Sequence, residues 1–68
     1  MSKVKSIREL ISEMQIEIKV DMNLINKYEM FDELEKAEEF KKMLKKDQAK
    51  LELLELKLAI ELEKENPT

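Results

Sequence analysis

Cysteine, histidine, tryptophan and glycine are absent from this 68-residue sequence, and its single proline is Pro67. Without cysteine no disulfide can staple the chain. Without histidine or cysteine a zinc site would have to be built from carboxylates alone. Hydroxyl groups are few, at Ser2, Ser6, Ser12, Tyr28 and Thr68, and no base of the usual kind stands ready to activate one as a nucleophile. Neither catalysis nor a cofactor is expected. No apolar run approaches the ~18 residues needed to cross a bilayer. The basic opening "MSKVKS" leads into no apolar stretch of the kind a secretory signal carries. The expected location is the cytoplasm, with no membrane contact.

What remains is charge and aliphatic carbon. Charged residues make up 43% of the chain and hydrophobic ones another 43%, with a net charge of −3. A composition rich in Glu, Lys, Leu and Ile marks long helices or a coiled coil, and its apolar share is too high for disorder. A core this small rarely supplies more than about 3–5 kcal/mol by itself, so self-association is the cheapest source of further burial.

One stretch argues against an all-helical chain. Residues 14 to 24, "MQIEIKVDMNL", alternate apolar and polar as a half-buried strand does, and Ile16, Ile18 and Val20 are β-branched. The same residues also fit a helix. Val4, Ile7, Ile11, Met14, Ile18, Asp21, Ile25 and Tyr28 follow a spacing of 3,4,3,4,3,4,3, which is a heptad seam with one polar member, Asp21. Ile16, Val20 and Leu24 then form a second stripe at i, i+4, i+8. A helix with two apolar stripes alternates too. A strand would need a partner, and no second candidate with turn signals exists within the chain. An intermolecular ribbon, as in ribbon-helix-helix DNA binders, would turn Glu17 and Asp21 toward phosphate. The helix is the better reading.

The spacing predicts a single helical-hairpin domain over residues 1–68. Helix one covers about 3–26, a turn about 27–31, helix two about 32–64, and a short frayed tail ends the chain. Ser2 or Ser6 can cap the first helix, Ser6 with Glu9 in a capping-box pattern. Asn26 can take the left-handed conformation that ends a helix, and Asp32 with Glu35 forms a second capping pattern. With a pivot near Glu29, Ile7 lies level with Leu51, and the chain beyond about Leu53 overhangs the first helix. That overhang is "LELLELKLAIEL", residues 51 to 62. Leu51, Leu54, Leu58 and Leu62 continue the hairpin seam of Ala37, Phe40 and Leu44. Leu53, Leu56 and Ile60 lie on nearly the opposite side, and a helix apolar on two faces sits between two neighbours. Leu53, Leu56, Leu58, Ile60 and Leu62 are therefore the expected protein-interaction residues.

Other features have plainer readings. Lys41, Lys42, Lys45, Lys46 and Lys50 form a basic band that could meet phosphate or an acidic protein. Acidic blocks flank it, and no arginine or aromatic side chain accompanies it for base readout or stacking. Asp21 is either an edge residue reaching water or Lys41, or a polar seam residue that fixes the helix register. Tyr28 and Phe31 flank the turn, where they would form a lid over the closed end. Met14, Met22, Met30 and Met43 read as gap-fillers.

Residues 34 to 46, "LEKAEEFKKMLKK", are similar to the second helix of the UVR hairpin, an interaction motif of bacterial excision-repair subunits. That family carries a doubled Ala and an Arg-Asp pair where this sequence has Ala37-Glu38 and Lys41-Lys42. The resemblance implies a hairpin that binds another helical hairpin.

The expectation is thus an all-α, two-helix antiparallel hairpin with a long second helix. It would self-associate, most simply as a dimeric four-helix bundle. Its role would be that of a non-catalytic interaction or regulatory module, binding itself and a protein partner. Nucleic-acid binding through the lysine band, or a structural scaffold role, are the competing readings.

Overall fold

The computed structural model describes residues 2–65, so the tail expected after Glu65 lies outside the described residues. Two helices, α1 (Lys3–Met30) and α2 (Leu34–Glu65), pack side by side as an antiparallel hairpin, with no strand among the described residues. Residues 14 to 24 are helical throughout. The Cα trace is a rod of 54 × 16 × 14 Å, one layer of two helices.

Helix α1 begins at Ser2, whose hydroxyl oxygen accepts from the Val4 N–H at 3.2 Å. This satisfies one of the orphan donors of the first turn. At the other end α1 runs past Asn26 to Met30. Asp32 holds the left-handed position, at φ 60°. The Asp32 N–H donates to the Glu29 carbonyl at 3.1 Å, and the Glu33 N–H donates to the Tyr28 carbonyl at 2.8 Å. This pair of bonds is a Schellman closure, seated on an aspartate where glycine is usual. The turn therefore occupies residues 31–33, later than the sequence placed it, and Asp32 ends α1 where it was expected to cap α2.

That shift removes the overhang. The Ser2 hydroxyl donates to Glu65 Oε1 at 3.0 Å, so the two helices finish together. At the closed end Tyr28 stacks on Phe40, ring centroids 5.5 Å apart and planes 19° from parallel. The Lys36 ammonium sits 5.5 Å from the centre of the Tyr28 ring, within cation–π range. Phe31 is no lid; it is 69% exposed.

The seam read from α1 is the seam observed. Val4, Ile7, Ile11, Met14, Ile18 and Tyr28 are half-buried, and Asp21 and Ile25 are buried. On α2 the inward residues are Ala37, Phe40, Leu44, Asp47, Leu51, Leu54, Leu58 and Leu62. Two helices can cover only one stripe of each other. Among the described residues the buried hydrophobic side chains are Ile25 and Ala37, and no large side chain is fully enclosed.

Candidate functional site

The side chains that the seam cannot cover are the first candidate site. Leu53, Leu56 and Ile60 are exposed on α2, Leu56 at 59%. They belong to the outward stripe, as their spacing from Leu51, Leu54 and Leu58 requires at 100° per residue. Leu58 and Leu62, also expected at the interface, are instead half-buried. With no overhang they sit against the N-terminal half of α1. On α1, Ile16 is 62% exposed and Val20 is exposed, while Leu24 is half-buried.

Two grooves run along one flank of the rod. One, of about 240 Å³, is lined by Leu10, Met14, Leu53 and Leu54. The other, of about 350 Å³, is lined by Ile16, Val20 and Met43, with Asp21 and Asp47 also in its wall. Glu17 and Lys50 line both, so the grooves adjoin. This flank carries apolar side chains from both helices. The opposite flank has its own groove, lined by Met22, Ile25, Asn26, Lys41 and Leu44.

Of the lysine band, Lys41 is tied up in ion pairs and the other four are exposed on α2. Lys41 is held by Glu29 at 3.1 Å and by Glu38 at 3.4 Å. Hydrogen bonds to those two carboxylates keep its ammonium above the usual lysine range, Glu29 being the larger influence. The Lys41–Asp21 contact considered from sequence is replaced by these pairs. Lys42, Lys45, Lys46 and Lys50 are exposed. At 100° per residue Lys42, Lys46 and Lys50 follow i, i+4, i+8 along the outer side of α2, with Lys45 beside them.

The second candidate is a feature that the sequence reading passed over. Asp47 fills the gap in the α2 seam between Leu44 and Leu51, at the same 3,4 spacing. It is buried, as is Asp21 at 5% exposure, and the two aspartates line the same groove from opposite helices. Asp21 Oδ2 is closed to solvent and has no hydrogen-bond partner. Burial first, then the adjacent Asp47, then the charge of Glu17, push the Asp21 carboxyl up to about 6. Both the desolvation and the like charge act against ionisation. The signal was in the sequence: a polar residue in each seam, well inside each helix.

No protein-family model, curated protein or solved structure matches this chain. No helix among the described residues is long and apolar enough to cross a membrane.

Proposed function

We propose that the chain is a non-catalytic helical interaction module that self-associates through the apolar faces its own hairpin leaves uncovered, most simply as a dimeric four-helix bundle. One observation carries this reading. Among the described residues two hydrophobic side chains are buried, whereas Leu10, Ile16, Val20, Met22, Met43, Leu53, Leu56 and Ile60 are exposed on the helices. Burying one such side chain contributes about 1.5–3 kcal/mol, and a pair of helices without cysteine has no disulfide to hold it. A second copy supplies matching apolar stripes at no cost in new sequence. The same faces suit a helix of another protein, which is how a module of this kind would act on a partner.

The test is sedimentation equilibrium at micromolar concentration. The wild type is expected to be a dimer or larger. Leu56→Ala with Ile60→Ala is expected to give monomer or unfolded chain, since truncating large apolar side chains at a packed site costs about 2–5 kcal/mol each. A wild type that is monomeric and fully helical over the same range overturns self-association.

A further inference from the structure

The seam of a two-helix hairpin is the place where an ionised carboxylate is least welcome, and this one has two, facing each other. Two buried carboxylates lining one groove, both charged, would repel in poorly hydrated surroundings. Asp21 Oδ2 has neither solvent nor a donor. Charged groups on both helices line the adjoining groove: Glu17 beside Asp21 on α1, and Lys50 beside Asp47 on α2. Glu17 adds to the negative field. Lys50 is exposed and makes no ion pair with either aspartate. Among the described residues no group of three potential ligands could hold a metal ion. What Asp21 Oδ2 lacks is a donor.

We propose that Asp21 and Asp47 share one proton across the seam, and that closing the hairpin is therefore linked to proton uptake. On closure a proton from solvent forms an O–H bond on one carboxyl group and a hydrogen bond to the other. The charge of the pair goes from −2 to −1, and no other bond is made or broken. The shared proton supplies the donor that Asp21 Oδ2 otherwise lacks. The linkage belongs to the hairpin itself and holds in a monomer or an oligomer.

The direction follows from the carboxyl at about 6 in the folded chain against an ordinary 3.8. A carboxyl raised by folding binds its proton more tightly when folded, so folding is favoured as pH falls from about 6 toward 4 and loses that support as pH rises through 6. Between pH 7 and pH 5 the folding equilibrium constant should rise about tenfold from this pair. The two protons leave in steps that belong to the pair as a whole.

Two measurements on the full chain test this. The first is a carbon-13 titration of the side-chain carboxyl groups, at a concentration where circular dichroism shows full helicity. The expected result is a midpoint near 6 at Asp21. An Asp21 midpoint near or below the ordinary ~4 overturns the proposal; that is also the outcome if Lys50 swings in as the donor. The second is urea denaturation at pH 5 and pH 7 of wild type and of Asp21→Asn with Asp47→Asn. The substitution removes the pair's titration and leaves every exposed carboxylate in place. The wild type is expected to gain about tenfold more than the variant on acidification; equal gains overturn the proposal. Should the double variant fail to fold, the wild-type titration decides alone. A folded monomer with the raised midpoint would sink self-association and keep the shared proton.

Discussion

Ala37 is 1% exposed, the most enclosed side chain of the seam. It lies beside the turn, three residues before Phe40, whose ring fills the next seam position against Tyr28. A methyl group suffices where the helices have just parted from a tight connection. Ala37→Leu would force extra carbons into that contact and is expected to destabilise the hairpin by about 1–3 kcal/mol, read as a lower urea midpoint. The acid pair invites the reverse experiment. Replacing buried, imperfectly paired charges by apolar side chains of similar volume is often neutral or stabilising. Asp21→Leu with Asp47→Leu should raise the thermal midpoint, by about 4–8 °C for each kcal/mol gained in a domain this small. If the pair also fixes register, the gain will come with a broader distribution of oligomers. A stabilised variant that stays one clean species would leave the pair no register role.

At the scale of the element, the turn is the point of strain. Asp32 sits at φ 60°, a region in which a side chain with a Cβ is held at a disadvantage of about 1–2 kcal/mol, eased for aspartate by its local hydrogen bonding. Asp32→Gly should therefore stabilise the hairpin by about 0.5–1 kcal/mol, offset in part by glycine's freedom in the unfolded chain. Thermal denaturation checks this, and destabilisation would mean that the aspartate side chain supports the turn. The same residue explains what the sequence hid. The 3,4 spacing is a property of helix geometry, so it marked the α1 seam residue by residue, including a stretch that also alternates like a strand. The position of the turn is decided by which residue accepts the left-handed conformation, and both Asn26 and Asp32 are chemically able. The choice fell to Asp32 because α1 continues with Ile25 and Tyr28 still against α2. Stopping at Asn26 would strand the Tyr28–Phe40 stack. Moving the turn slid α2 along α1, which laid Leu51, Leu54, Leu58 and Leu62 against α1 and brought Asp47 opposite Asp21. Asp47 is hard to see in the sequence because apolar residues mark a seam, and between Leu44 and Leu51 the seam position is an aspartate among solvated charges.

At the scale of the whole molecule, a rod only 16 × 14 Å across has no interior to speak of. Its stability should then depend on concentration, because any association that favours the folded form raises the midpoint by mass action. The thermal midpoint of the wild type is expected to climb with protein concentration. That of Leu56→Ala with Ile60→Ala should be flat or lost. Calorimetry over a hundredfold dilution would show either pattern, and a wild-type midpoint independent of dilution would argue for a self-sufficient hairpin.

The 3.0 Å contact between Ser2 and Glu65 has a mechanical meaning. Handles attached at these two positions would pull across the seam, perpendicular to the rod. The load would fall on one pair of seam residues at a time, so that the hairpin peels open from Val4 and Leu62 toward the turn. Handles at Ser2 and Asp32 would instead pull along α1 and load its helical hydrogen bonds in series. Peeling should proceed at low force. It should also sense a point about two thirds of the way to the turn, because beyond Ile18 and Leu51 the next contact to break is the aspartate pair. At pH 7 that contact repels and helps the peeling along; at pH 5 a proton holds it shut. The same hairpin would act as a zipper with a catch past its halfway point, set by the acidity of its surroundings.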